Sequence, residues 1–256
     1  MAHAPWRLDA LYRHPVKSLG EEALDQATLA PGHAMPWDRK WAIAHGGAWD
    51  PANPGWMGGS AKMVSTTYVP RLAQMQVRFE ETTESVHLSH PDLGALSVQP
   101  SDPLHHPVLT RWIEPLLEGT GREGPFHVCE APGVAFTDFE ETHISIATGN
   151  SLRALEQHIG QSLEHIRFRM NLWLEGPAPW SELDWVGQEI EIGEARIKII
   201  GRDQRCNTTN ANPATGQRDT QIPAFLRRQF GHMDFGVYAQ ITQGGTIRKG
   251  DAARLV

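Results

Sequence analysis

Apolar and polar residues alternate over short stretches along most of the chain, the two-residue period of half-buried strands. Arg7 to Ala30 predicts short strands with turns at His14-Pro15 and Leu19-Gly20, and Pro31-Gly32 is a further turn. Trp37 to Ala44 predicts another strand, with Asp38-Arg39 embedded in it and Gly46-Gly47 closing it. Pro51, Pro54, Gly55, Gly58 and Gly59 make Asp50 to Ser60 an irregular loop. Met75–Phe79 and Val86–Leu88 predict a hairpin. Leu104 to Leu117 is weakly helical and limited by Pro107 and Pro115. Gly119 to Gly133, rich in Gly and Pro, is the expected linker.

Beyond it, Leu152, Leu155 and Ile159 recur at helical spacing, with Asn150 or Ser151 as the expected cap and Gly160 as the stop. Ile166 to Leu174 predicts a strand in which Arg167, Arg169 and Asn171 share one face. Glu189 to Ile200 gives two strands around Gly193, and Pro223 to Phe230 a helix ending at Gly231. Tyr238 to Val256 gives two strands joined at Gly244-Gly245. The sum is a mostly β protein with a few short α-helices, of barrel type.

A chain of 256 residues supports one large domain or two small ones. Its net charge of −7 argues against sequence-independent binding to nucleic acid or to an anionic membrane surface. Two cysteines, Cys129 and Cys206, are too few for a disulfide framework, a four-cysteine zinc site or an iron–sulfur cluster. No apolar run approaches the roughly 20 residues of a membrane span. The amino terminus lacks an apolar export core, so a cytoplasmic location is expected.

Phosphate-loop, dinucleotide and nucleophile-elbow signatures are missing. His105-His106 and the His87/His90 pair lack a third ligand at useful spacing. The informative stretch is Ile199 to Gly216, where Cys206 follows Arg205 and is itself followed by Asn207, Thr208, Thr209 and Asn210. A cation beside a thiol favours the thiolate, which is both nucleophile and metal ligand, and a soft thiolate suits a soft metal. A buried, inert cysteine is the competing reading, and it is the preferred one for Cys129. Arg167, Arg169 and Asn171 offer an anion-binding surface, against the alternative of a solvated strand face. Lys17-Ser18 places a cation and a hydroxyl at a turn; Asp38-Arg39, among tryptophans, is either a structural ion pair or part of a ligand site.

The order of these pieces resembles a known family. Pro15-Val16-Lys17-Ser18, Asp38-Arg39-Lys40-Trp41 and Pro70-Arg71-Leu72-Ala73 resemble the N-terminal β-barrel domain that precedes many MOSC domains. Gly149-Asn150-Ser151-Leu152, Arg167-Phe168-Arg169-Met170-Asn171, Trp185, Ile190-Glu191-Ile192-Gly193, Arg205-Cys206, Asn212-Pro213-Ala214-Thr215-Gly216 and Gly250-Asp251 resemble the MOSC domain itself. The implied architecture is an N-terminal β-barrel domain over residues 1–125 and a MOSC β-barrel domain over 126–256. Two positions depart from the family pattern: Met170 stands where a proline is usual, and Glu182-Leu183-Asp184-Trp185 separates an otherwise adjacent acidic pair.

The resemblance, which is to the amidoxime-reducing components and their bacterial counterparts, implies a molybdenum cofactor carried on molybdopterin. Cys206 is then the metal ligand and catalytic cysteine. Lys17, Ser18, Arg39, Ser151, Arg167, Arg169, Asn171 and Arg205 are the implied cofactor-binding positions. The implied activity is reduction of small N-hydroxylated, N-oxide or S-oxide compounds, with electrons from a transient donor protein. The alternatives are a persulfide carried on Cys206 without pyridoxal phosphate, as in sulfur transfer, or cofactor storage and delivery without turnover.

Overall fold

The computed structural model describes residues 5–59 and 61–256. Residues 1–4, where no export core is expected, and Ser60, at the end of the expected Asp50–Ser60 loop, lie outside the described residues.

In chain order the elements are β1 (Trp6–Arg13), β2 (Glu22–Leu24), β3 (Gln26–Leu29), β4 (Ala42–Ala44), β5 (Gln76–Glu80), β6 (Ser85–His90), β7 (Gly94–Val98), α1 (His106–Leu117), β8 (His127–Cys129), β9 (Ile144–Thr148), α2 (Gly149–Ile159), β10 (Leu172–Glu175), β11 (Glu189–Ile192), β12 (Ala195–Gln204), α3 (Ile222–Phe230), β13 (Asp234–Gln243), β14 (Gly245–Arg248) and β15 (Ala252–Leu255). Seven strands close a barrel in the order β10-β9-β13-β12-β11-β15-β1, and β1 returns to β10. Only the β9–β10 neighbours run parallel, with α2 on their connection. Inward positions carry Leu8, Ile146, Leu172, Leu174, Ile190, Ile197, Ile199 and Val237, all wholly buried, so the interior is a packed core rather than a channel. The mostly β expectation therefore holds.

A smaller core lies beside the barrel. The meander β5-β6-β7 and α1 bury Leu72, Val86, Leu88, Ile113 and Leu116 together with Trp41. The two halves of the chain share strands. β1 is a barrel strand, paired to β10 and β15, while β8 pairs with β4. The stretch Gly119–Gly133 is thus not a plain linker, because it contributes β8 and the buried Cys129.

Local readings are corrected where left-handed residues interrupt an alternating pattern. Trp37 and Arg39 adopt positive φ (63° and 49°), so Trp37–Ala44 is a turn leading into a strand of only Ala42–Ala44. His165–Phe168 forms a 3-10 turn, Arg169 has φ 53°, and the strand begins at Leu172. Arg167, Arg169 and Asn171 therefore do not share a strand face. The cap of α2 is Thr148, whose side chain accepts a hydrogen bond from the Ser151 amide at 3.1 Å, rather than Asn150 or Ser151. Gly160 (φ 76°) and Gly231 (φ 78°) end α2 and α3 as expected. The last segment holds three strands instead of two, with Tyr238 inside β13.

Candidate functional site

Residues 14–17 and 38–41 lie side by side, and this contact builds one wall of a cavity. The Lys17 amide donates to the Trp41 carbonyl (2.8 Å), the Trp41 amide to Pro15 (3.2 Å) and the Arg39 amide to His14 (2.7 Å). Lys17, Ser18 and Arg39 are thereby delivered to one end of the barrel. The facing wall comes from Asp138, His143, Arg169, the end of β12 with Cys206, and Tyr238 on β13. The space between has a volume of about 320 Å³, at the lower end of the range typical of small-molecule sites.

Positive charge dominates this space. The Lys17 ammonium donates to the Phe136 carbonyl at 2.7 Å and lies 3.6 Å from Asp138. Burial lowers its pKa and Arg39 and Arg169 lower it further, while Asp138 and Cys206 act in the opposite sense. The Arg39 guanidinium pairs with Asp38 and donates to the Arg169 carbonyl at 2.8 Å. Among the described residues Arg169 makes one side-chain hydrogen bond, to the Gly20 carbonyl at 3.2 Å. Burial, and then the neighbouring Arg39, depress its pKa to about 10. Two guanidiniums and an ammonium brought together with so few carboxylates leave donors for an anion. An anionic ligand therefore fits the residues present.

Asp138 and Tyr238 carry a proton-bearing pair on the same wall. The Tyr238 hydroxyl donates to Asp138 at 2.9 Å. Desolvation by the cavity wall would raise the pKa of Asp138, whose side chain is still 61% exposed, but Lys17, Arg39 and Arg205 outweigh it and hold the carboxylate ionised. Burial and that carboxylate push the Tyr238 phenol well above its ordinary range, so it keeps its proton. His143 stacks on Phe139 at 3.9 Å, and burial lowers its pKa.

Ser18, Arg39 and Arg169 all line the cavity and all hold positive φ (68°, 49° and 53°). Such conformations are uncommon for non-glycine residues, and they concentrate at ligand sites.

Cys206 follows β12 in extended conformation and is exposed. The Thr67 hydroxyl, from the other half of the chain, lies 3.4 Å from its sulfur and 2.8 Å from the Thr208 hydroxyl. Behind Cys206, Asp219 receives both Arg167 terminal nitrogens (2.7 and 2.9 Å) and the Asn212 amide (2.6 Å), which ties down the loop.

Sequence comparison meets the same organisation. The profile of the MOSC domain matches residues 124–254, just over half of the chain, and that of the MOSC N-terminal beta barrel domain matches residues 6–113. The chain belongs to the MOSC family. It is similar to a molybdenum cofactor sulfurase of Drosophila mojavensis, with 25% identity over 91% of this chain and 31% of the relative. A second sulfurase, from Drosophila willistoni, is 35% identical over 35% of this chain and 11% of the relative. The mitochondrial amidoxime-reducing component 1 of Mus musculus is 27% identical over 41% of this chain and 34% of the relative. The matched segments thus span about a tenth to a third of these relatives' lengths. Among solved structures, the YUAD protein from Bacillus subtilis is 11% identical, with a TM-score of 0.46 over 99% of this chain and 97% of that one. YiiM from Geobacillus stearothermophilus is 22% identical, with a TM-score of 0.35 over 44% and 53%.

Within the MOSC fold, Lys17, Ser18, Arg39, Arg169 and Cys206 line this one cavity. Arg167, Asn171 and Arg205 also line it, each already engaged by protein partners, whereas Ser151 does not. Ser151 is wholly buried in the first turn of α2, where its hydroxyl donates to Glu182 (2.8 Å) and accepts from the Trp180 amide (2.7 Å); it does not line the cavity. Arg167 reaches the lining, but its guanidinium is held by Asp219 and Glu164. The Asn171 carboxamide is engaged by Ser145 and by the Tyr12 carbonyl. Arg205 lines the cavity with its guanidinium paired to Asp203 and donating to the Phe168 carbonyl at 2.8 Å. Asp138, His143, Tyr238 and Thr67 carry no motif in the sequence and meet only when the barrel closes. Cys129 is buried against Ala42, Met63 and Phe136, and burial pushes its thiol up to about 12. No helix among the described residues is long and apolar enough to cross a membrane.

Proposed function

We propose that this cavity holds the molybdenum cofactor with Cys206 as the protein's sulfur ligand. We further propose that the chain reduces small N-hydroxylated, N-oxide or S-oxide compounds with electrons from a separate, transiently bound protein. The observation that carries this reading is convergence: an exposed thiol, Lys17, Arg39 and Arg169 face one cavity built from both halves of a MOSC chain. Arg39, Arg169 and Lys17 would hold the phosphate and pterin oxygens through charge-assisted hydrogen bonds. Cys206 would supply the thiolate. The cofactor, when bound, supplies two-electron oxygen-atom chemistry. The Tyr238 hydroxyl holds a proton against Asp138 on the same wall, where a proton can be handed to a bound substrate.

A second reading has its own support. Two of the relatives above are named as molybdenum cofactor sulfurases, and Cys206 is exposed enough to carry a persulfide. One assay series separates the two. Protein produced with molybdenum cofactor is supplied with reduced viologen, then with NADH alone, and amidoxime, N-oxide or sulfoxide consumption is followed. Turnover with viologen and none with NADH is the expected result. No reduction of any of these compounds, together with cyanide-releasable sulfur on Cys206, moves the sulfur-transfer reading ahead.

A further inference from the structure

Behind the arginines lies a buried charged chain that the proposed chemistry does not use. His14 is fully buried, and its Nδ1 lies 3.1 Å from Asp38, the carboxylate that pairs with Arg39. The backbone tightens the same contact: the His14 amide donates to Asp38 at 2.7 Å and the Arg39 amide to the His14 carbonyl at 2.7 Å. On the other side of the ring, His14 Nε2 stands 3.7 Å from Glu21 Oε2. Both atoms are buried, and neither makes a hydrogen bond among the described residues. With the Nδ1 proton given to Asp38, a bare nitrogen faces a carboxylate oxygen across a gap longer than a hydrogen bond, which protonation of the nitrogen would draw closed. The other Glu21 oxygen lies 2.7 Å from His165 Nε2, which is likewise buried and makes no hydrogen bond among the described residues.

We propose that His14, acting through Asp38, positions Arg39 for an incoming anion and takes up one proton as that anion binds. The proposal rests on reading the cavity as an anion site. Four charged groups face the ring. Asp38 and Glu21 favour imidazolium, whereas Arg39 and Arg169 oppose it. Without an anion the opposition prevails: burial, then Arg39 and Arg169, hold His14 below its ordinary range. Glu21 stays ionised nonetheless; burial would raise it, but His14 and His165 bring it down to about 2. A dianion lying between Arg39 and Arg169 cancels their repulsion toward His14 and leaves the two carboxylates in command. The imidazole then gains its second proton. The added charge sits behind Asp38 and strengthens its hold on the local geometry while Arg39 turns its remaining donors to the ligand. By reciprocity, anion affinity rises as pH falls through the window between the free and bound titrations of His14.

Sulfate is a suitable probe, because it remains a dianion across this range. Calorimetric titration of the full chain in two buffers of different ionisation enthalpy measures protons taken up. Wild type should take up as much as one proton, with affinity weakening up to about tenfold per pH unit across the window. His14→Gln should bind sulfate with markedly less proton uptake and a shallower pH profile, what remains belonging to Lys17 and His143, which line the same cavity. The NMR titration of the His14 ring in ligand-free Arg39→Gln and Arg169→Gln proteins, which keep the histidine, should move upward. Sulfate binding with the same proton uptake in His14→Gln overturns the proposal, as does a His14 titration that neither arginine variant moves. Failure of sulfate to bind at all, with the ring responding to both variants, overturns the anion-site reading and the linkage built on it.

Discussion

Glu182, in the 3-10 turn Ser181–Asp184, is wholly buried against the first turn of α2, hydrogen-bonded to Ser151 and Thr148, and burial raises its pKa from 4.5 to about 7 against those bonds. Between these values the folded protein keeps a proton that the unfolded chain has lost. The stabilisation from this group is complete below about pH 4.5 and is lost as pH rises through about 7, a loss on the order of 3 kcal/mol. Glu182→Gln should remove that slope. Urea unfolding at pH 5 and pH 8 measures it, and an identical slope in both proteins would contradict the assignment. The same residue explains why Ser151 misleads in the sequence. A serine at a helix start resembles a ligand-binding hydroxyl, but here the buried acid takes it. Cys206 was legible because a thiol among Asn and Thr is out of place in a core. Asp138 and Tyr238 were not, because nothing near them in sequence marks their meeting.

Among the elements, the 3-10 turn at His165–Phe168 and the loop after Cys206 are joined by Arg167, whose side chain is 1% exposed, against Asp219. Arg167→Met removes the buried cation of a pair whose carboxylate is partly exposed and should cost on the order of 1–2 kcal/mol. Amide exchange between Cys206 and Asp219 should accelerate more than exchange in β5–β7. Uniform acceleration would mean that Arg167 supports the whole fold rather than this loop. Helices α2 and α3 were readable from their apolar spacing and glycine stops, because those signals are local. The stretches 37–44 and 166–174 were misread for a physical reason. Turning a residue to left-handed φ redirects its side chain without changing the alternating pattern, and at Arg39 and Arg169 that redirection builds the cavity.

At the level of the whole molecule, a mostly β barrel was legible, but the sharing of strands was not, because pairing between β1 and β10 is a long-range register that no local pattern records. This sharing predicts that residues 126–256 alone will not fold cooperatively. Without β1 the barrel opens between β10 and β15 and loses Leu8 and Leu11, each worth about 1.5–3 kcal/mol of burial. Near-ultraviolet circular dichroism through a thermal ramp reports this, and a sharp transition matching the full chain would contradict it. Joining the halves also brings Lys17 and Arg39 to Cys206, so the cavity exists only in the whole chain. The proposed function requires Cys206 to bind molybdenum. X-ray absorption at the molybdenum edge, on wild-type and Cys206→Ala proteins produced with the cofactor, tests it directly. The account predicts one fewer sulfur neighbour at the metal in the variant, with turnover abolished; an unchanged sulfur count with full activity would contradict it.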